Sequence, residues 1–374
     1  MRRLKVAIAT GGRFHVLDLA RELGALGHDV RFYSYVPKRR ALQFGLPARS
    51  HVPLLPLIFP LVIWELLRPV PFPATKERML AWALNRAVIA RLAPCDVFIC
   101  MSGLFLEAAT YAKTKYGARI FLERGSRHIE SQYEILKAAA SAQIPSEFTI
   151  QRELDGYSKA DQIVVPSNQV VESFLQRNIE AGKIFKNPYG VDLEQFPEQR
   201  VVPTGPKTVI FVGGWTYRKG ADLLVTAIEQ LSDVHLIHVG GLGDVAFPKH
   251  SRFVHYDSMP QWRLKEFYAQ AHACVLASRE EGLALVQVQA LATGLPLICT
   301  DRTGGADLAH SPALETRIRV VASGDAKALA DGIAATLASD VAGPRRPPLS
   351  ERDRHLLSWH CYAERYSQKL LSVT

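Results

Sequence analysis

Five cysteines, Cys95, Cys100, Cys274, Cys299 and Cys361, are scattered through the sequence, and no two are spaced Cys-x-x-Cys. That argues against a zinc site and reads as reduced, mostly buried thiols of a cytoplasmic protein. No secretory leader is expected, because Met1 runs directly into a basic strand pattern. No apolar run reaches the roughly 20 residues of a membrane-spanning helix. The nearest, VPLLPLIFPLVIWELL at 52–67, contains Glu65 and is interrupted by Pro53, Pro56 and Pro60. It reads as an irregular apolar loop or short helix, either packed on its own domain or serving an acceptor or a membrane surface. Also absent are a Gly-x-Ser-x-Gly elbow (RGSRH at 124–128 fails it) and a Gly-x4-Gly-Lys-Ser/Thr loop. No Asp-x-Asp closes a strand, so no metal-held sugar nucleotide is indicated. His235 and His238, three apart in a strand pattern, face opposite sides and make no zinc pair. The aromatics are not interleaved with basic runs, which argues against a nucleic-acid surface.

Acidic charge is scarce at one end only. The chain carries 45 Lys and Arg against 36 Asp and Glu, a net +9. Residues 1–95 hold 15 basic and 5 acidic side chains, whereas residues 96–374 hold 30 and 31. A basic surface implies an anionic partner: nucleic acid, nucleotide or anionic membrane. With 374 residues, 48% hydrophobic and 22% charged, the chain is of ordinary globular composition and long enough for two domains.

Strand and helix patterns alternate from the start. LKVAIAT (4–10) is a short apolar run ended by Gly11-Gly12. Residues 15–27 show helical periodicity through Leu17, Leu19, Leu23 and Leu26, with Gly27 as the cap, and HDVRFYSY is a second strand. Further strands are predicted at 95–101, 118–122 and 161–165, and a helix at 168–178. The Pro- and Gly-rich stretch 187–206 reads as a linker. The pattern then restarts: strand at 207–214, helix at 221–231, strand and glycine turn at 234–244, helix at 264–271, strand at 273–278, helix at 285–293, strand at 295–300. A last helix is predicted near 356–371. This is an α/β chain of two doubly wound halves, whose ligands bind at the carboxyl ends of the strands and in the cleft between the sheets.

Four segments of the second half point to one chemistry. FVGGWTYRKG (211–220) ends a strand in glycines and brings Arg218 and Lys219 to the start of a helix, where cations can neutralise phosphate. VGGLGD (239–244) is a second glycine turn. In SREEGLALVQVQALATGLP (278–296), Glu281-Gly282 marks a strand-to-helix change, and the N–H groups of Leu283, Ala284 and Leu285 would be free first-turn donors for an anion. Gln289 lies eight residues beyond Glu281, about 12 Å along a helix. The layout suits a nucleoside diphosphate sugar: sugar contact, diphosphate at the helix head, ribose contact. TDRTGG (300–305) is a polar turn whose Thr303 and Gly304 are placed near the sugar.

These segments resemble retaining glycosyltransferases of the GT-B fold, in particular glycosyltransferase family 4. The family's Lys-Gly, Ser-x-x-Glu-Gly, second Glu, Ala-x-Ala-x-Gly-x-Pro and Gly-Gly elements read here as RKG, SREEGLA, Gln289, ALATGLP and TDRTGG. The resemblance covers about 205–310, and extends more weakly to 165–196 and to SWHCYAERY at 358–366. It implies a GT-B fold: residues 1–200 an acceptor-binding Rossmann-like domain, 201–350 a donor-binding one, and 351–374 a helix crossing back to the first. It implies that Lys219 contacts the diphosphate, Glu281 the sugar hydroxyls and Gln289 the ribose. Gly12, Gly214, Arg218, Gly282, Leu283, Ala284 and Leu285 complete the donor site. His128, with Glu123, Arg124, Ser126 and Gly11 nearby, faces the sugar from the first half.

Two departures stand out. Gly214 replaces the family's Arg, and Gln289 replaces its second Glu, although an amide can still bridge ribose hydroxyls. The implied activity is retaining sugar transfer from a UDP- or GDP-sugar to a lipid, lipid-linked glycan or polysaccharide precursor, with no cofactor and no metal. An epimerase or phosphorylase on the same fold, or a non-catalytic binding subunit, are the alternatives. Because residues 201–374 are nearly neutral (18 basic, 17 acidic), the basic surplus at 1–95 is not the donor site. Together with apolar 52–67 it is expected to rest on an anionic membrane, the inner face of the plasma membrane for a cytoplasmic protein.

Overall fold

A computed structural model describes residues 2–59, 73–138, 144–199, 201–342 and 347–374. The apolar run 52–67 lies outside the described residues from position 60 onward. Its first two residues end a short strand, His51–Pro53, and residues 55–59 are helical, the second of the two forms expected.

Two parallel sheets organise the chain. The first has seven strands: β1 (Lys5–Thr10), β2 (Asp29–Ser34), β3 (His51–Pro53), β4 (Val97–Met101), β5 (Arg119–Glu123), β6 (Gln162–Val165) and β7 (Ile184–Lys186), in the order β3-β2-β1-β4-β5-β6-β7. The second has six: β8 (Lys207–Val212), β9 (Val234–Val239), β10 (Phe253–Tyr256), β11 (Ala273–Leu276), β12 (Leu297–Thr300) and β13 (Ile318–Val321), in the order β10-β9-β8-β11-β12-β13. Both are Rossmann-like. Strand order reverses beside β1 in one sheet and beside β8 in the other, and ligand crevices open at such switch points. Val6 pairs with Val30 on one side and Val97 on the other. Ile210 likewise pairs with Ile237 and Cys274.

The central strands are near-continuous apolar runs because helices cover both faces of each sheet. KVAIAT and KTVIFV are buried at every position after the leading lysine. Helix Val16–Ala25 turns Val16, Leu17, Leu19, Ala20 and Leu23 onto the first sheet. Helix Ala326–Leu337 buries Leu329, Ala330, Ile333 and Leu337 under the second.

The last segment forms two helices, Glu351–Leu356 and Trp359–Val373, rather than the single one predicted. Ser350 and Ser358 cap them, each accepting a backbone N–H three residues on. The second returns to the first sheet: Tyr366 donates to Glu123 at 2.8 Å, and Ser367 pairs with His28 at 2.8 Å. Val191, in the predicted linker, fixes the crossing by accepting from Trp359 N–H and donating to Leu357 O.

Candidate functional site

The loops at the carboxyl ends of β8 and β11 form a charged cluster, and each is braced by its neighbours. Loop 213–220 is held from one side by the 239–244 glycine turn, where Asp244 accepts the Tyr217 N–H at 2.7 Å. From the other side Arg279 forks onto Asp222 with two bonds of 2.7 Å and stacks on the Tyr217 ring. Lys219 is thereby set against Glu281, with which it forms an ion pair. Arg218 reaches the same place, donating to the Glu280 carbonyl at 3.0 Å and carboxylate at 3.3 Å, and lies 3.7 Å from Glu281. Burial and the neighbouring Arg218 pull the Lys219 ammonium down to about 7, against the raising influence of Glu280. An ammonium in that environment is held charged by whatever anion joins it.

The helix that follows begins at Leu285, as predicted, with Ala284 as its N-cap, so Leu283 lies before its first turn. The N–H groups of Leu285 and Val286 have no carbonyl within the helix to bind. The Ala284 N–H, expected to be free for an anion, instead donates to the Gln287 side chain at 3.2 Å. Gln289 is buried, and its Oε1 accepts from Tyr268 OH at 3.1 Å.

Across the cleft the two sheets meet at Gly282. A Cβ there would lie 2.0 Å from the Gly125 carbonyl oxygen. Gly304, at φ +70°, would carry a Cβ 2.2 Å from the Gly282 oxygen. Only glycine permits backbones this close. Ser167 donates to the Gly282 carbonyl at 2.8 Å, Gln169 to the Glu281 carbonyl at 2.6 Å, and Ser126 to the Glu280 carboxylate. The structure therefore brings together Ser126, Lys219, Arg218, Glu281, Gly282, Leu285 and Gly304. Leu283 follows in the same loop, buried between Gly282 and the N-cap. Gly214 opens the loop that carries Arg218 and Lys219, beside fully buried Trp215.

Three residues assigned to the sugar have buried side chains with other neighbours. His128 is 2% exposed, with Tyr157 and Phe174 about its ring at 5.0 and 5.1 Å, and burial with Arg177 and Arg124 lowers its pKa to about 4. Arg124 spends its guanidinium on the Arg127 carbonyl, Gln132 and Glu153. Thr303 is fully buried, donating to the Thr300 carbonyl and accepting from Gln287. Partners use up the polar side-chain atoms of Arg124 and Thr303, and aromatic rings enclose that of His128. Gly11 and Gly12 follow β1, where Thr10 Oγ1 accepts the Gly12 N–H.

Other residues enter the site without having been singled out. Glu280, fully buried, receives Ser126 and Arg218 from opposite sides of the cleft. Arg127 donates to Gln169 at 3.2 Å, while its buried Nε has no partner among the described residues. His15 pairs with buried Glu123 at 2.9 Å, beside the Gly11-Gly12 loop. A lone carboxylate or His gives no local spacing signal. Only the second Glu of SREEG was visible as part of a pattern.

The group 1 glycosyl transferase profile matches residues 206–339, and that of Glycosyltransferase Family 4 matches residues 9–195. The chain belongs to glycosyltransferase family 4. It has the GT-B fold, and solved structures agree on that architecture. Sucrose-phosphate synthase from Thermosynechococcus elongatus superposes over 100% of both chains with TM-score 0.73 at 22% identity. Anabaena HepE, solved in complex with UDP and glucose, gives 0.67 at 11% over 100% of both. Among curated relatives, one component of the phosphatidylinositol N-acetylglucosaminyltransferase of Arabidopsis thaliana is 28% identical over 39% of this chain and 35% of its own length. The putative teichuronic acid biosynthesis glycosyltransferase TuaC of Bacillus subtilis (strain 168) is 26% identical over 46% and 41%. The family 4 chain thus spans well under half the length of these relatives. Among its described residues no helix is long and apolar enough to cross a membrane.

Proposed function

We propose that this family 4 protein transfers a sugar from a nucleoside diphosphate sugar to an acceptor hydroxyl with retention of anomeric configuration. The observation that carries the reading is the cluster of Lys219, Arg218, Glu280 and Glu281 at the head of helix Leu285–Ala292, facing Ser126 and Arg127 across the Gly125–Gly282 contact. In this reading Lys219, Arg218 and the free N–H groups of Leu285 and Val286 take the diphosphate, and their charge stabilises it as it departs. Glu281, released from Lys219 by the incoming anion, accepts from sugar hydroxyls. Gln289, oriented by Tyr268, has its amide N–H donors left for the ribose. Arg127 adds a cation on the acceptor side. The leaving phosphate takes the acceptor proton on the same face, so the protein contributes position and electrostatics rather than a general base. The cations are side chains, so the reading needs no divalent metal or cofactor for the transfer. Contact of the two halves at Gly282 excludes water from the donor.

The acceptor is proposed to be lipid or lipid-linked, met at an anionic membrane on the cytoplasmic side. Supporting this, Leu57, Phe59, Leu80 and Trp82 are exposed on the basic first half, Trp82 by 64%. Leu57, Ile58, Trp82, Ala83, Arg86, Ala87 and Ala90 line a crevice of about 320 Å³. Aromatic and basic groups side by side suit a lipid interface.

A thermal-shift panel of UDP- and GDP-sugars tests donor binding. One donor is expected to raise the melting temperature of the protein, and much less that of Lys219→Ala. A panel that leaves the wild type unmoved contradicts the reading. Co-sedimentation with anionic vesicles at low salt, lost with Trp82→Ser, tests the membrane surface.

A further inference from the structure

We propose that the turn between helices Glu351–Leu356 and Trp359–Val373 binds one transition-metal ion, zinc being the best match, through His355, His360, Cys361 and Glu364. The site is separate from the donor cluster and independent of the activity proposed for it.

The sequence RHLLSWHCYAER (354–365) holds the donors at helical spacing. His360 and Glu364 are four apart on one helix and Cys361 and Glu364 three apart, so Glu364 neighbours both. His355 comes from the preceding helix, and the turn that delivers it is fixed. Ser358 Oγ donates to the His355 carbonyl at 2.7 Å and accepts the Cys361 N–H at 3.0 Å. The ligand atoms of His355, Cys361 and Glu364 consequently lie within 4.8 Å of one another. His355 Nε2 is 3.1 Å from Glu364 Oε2, and His360 Nε2 is 3.6 Å from Glu364 Oε1. In a tetrahedral zinc site, bonds of about 2.0–2.3 Å put ligand atoms roughly 3.5 Å apart. His360 stands outside the group within 4.8 Å, and a change of its rotamer brings it in as the fourth ligand. Two imidazoles, a thiolate and a carboxylate form a set that suits zinc and disfavours magnesium or calcium.

The surroundings match those of a metal site. The second nitrogen of His360, Nδ1, lies 3.2 Å from Glu22 Oε2, and Glu22 is itself held by Arg21 Nε at 2.9 Å. A carboxylate behind a ligating histidine fixes its tautomer and raises its basicity. Arg365 Nη1 lies 3.0 Å from Cys361 Sγ, a cation where a thiolate would form. His355, His360 and Glu364 are open to solvent, which gives an ion a way in, while Cys361 is buried beneath them.

The position gives the ion a task. Leu357 and Trp359, inside the same turn, bond Val191 in the segment that leads from the first sheet toward the second. Glu22 belongs to helix Val16–Ala25, on which the last helix packs. A bound ion would tie the crossing segment, the last helix and the first-half helix into one rigid joint. Absence of Cys-x-x-Cys spacing does not bear on such a site, because its ligands follow helical periodicity.

The test is a cobalt(II) titration of the full, chelator-dialysed chain, followed by zinc competition and by thermal shift with zinc alone. Expected are one tightly bound equivalent with tetrahedral visible bands and a thiolate-to-cobalt absorption, displaced by zinc, and a higher melting temperature with zinc. Cys361→Ser should abolish the thiolate band. His355→Ala and Glu364→Gln should weaken binding at least tenfold, and Glu22→Gln about tenfold. The exposed positions of His355 and Glu364 let those variants fold, which circular dichroism checks. Absence of tetrahedral bands in the wild type, or bands unchanged by these substitutions, overturns the proposal.

Discussion

Lys219 makes donor binding pH-dependent in a direction that follows from its surroundings. Burial, then Arg218, depress its pKa from 10.5 to about 7 in the unliganded protein, with Glu280 opposing. A diphosphate placed beside it stabilises the ammonium and returns the pKa toward its ordinary value. The liganded state therefore binds more protons than the free state between about 7 and 10, and binding weakens as pH rises through that window. At pH 8 the larger part of the free protein has neutral Lys219, hydrogen-bonded rather than ion-paired to Glu281, so binding takes up a fraction of a proton that shrinks as pH falls toward 6. Above pH 7 the apparent Kd rises by up to about tenfold per unit, about 1.4 kcal/mol. Calorimetric titration with whichever donor the panel identifies, in phosphate and in Tris, counts the protons. The diphosphate diester of such a donor titrates nowhere in this range. Lys219→Arg keeps a cation that never titrates here, so uptake at pH 8 should vanish while binding survives in part. No uptake at pH 8 in the wild type, or equal uptake in Lys219→Arg, refutes the assignment.

Gly282→Ala drives a methyl onto the Gly125 carbonyl, 2.0 Å away, and should force the halves apart, weakening donor affinity about tenfold or more (about 1–3 kcal/mol). An unchanged Kd and melting temperature would contradict the contact. Tyr268→Phe leaves the buried Gln289 Oε1 without its donor at a cost of about 1–3 kcal/mol, seen as a lower melting temperature and weaker nucleotide binding. His128 is held near pKa 4 in the fold against 6.5 for an ordinary histidine, so the unfolded chain binds more protons between those values. Stability should therefore fall as pH drops from about 6.5 toward 4. His128→Phe should flatten that decline in urea titrations and retain turnover, whereas a histidine acting on the sugar would be lost with its activity.

Much of the architecture was legible because it repeats at short range. LKVAIAT followed by Gly11-Gly12 and an amphipathic stretch is a strand, turn and helix, and KTVIFVGG repeats the statement. The short strands His51–Pro53, Ile184–Lys186, Phe253–Tyr256 and Ile318–Val321 carried no such signal. Their side chains are partly exposed, and pairing with a neighbour alone makes them strands. The site divides the same way. Lys219, Arg218 and Glu281 were readable because one loop supplies the cations and one helix start supplies the carboxylate. Arg124, His128 and Thr303 stood in suggestive places, but the Arg124 guanidinium is spent on Glu153, Thr303 on Gln287, and the His128 ring is packed against Tyr157 and Phe174, neighbours that local sequence does not name. Glu280 acquires meaning only when the two sheets face each other, and Arg127 and His15 only when distant segments of the first half bring Gln169 and Glu123 to them. Glu22, in the first helix, meets His360 in the last for the same reason: the chain returns to where it began.

The central claim is sugar transfer at the Lys219–Glu281 cluster. It is tested most directly by following release of nucleoside diphosphate from a panel of UDP- and GDP-sugars with lipid-linked acceptors, in the wild type, Lys219→Ala and Glu281→Ala. Acceptor-dependent release from one donor is expected, with a loss of about a hundredfold or more in kcat for each variant, about 2.7 kcal/mol, and the fold intact. Rapid acceptor-independent conversion to an isomeric sugar nucleotide, or full turnover in both variants, would contradict it.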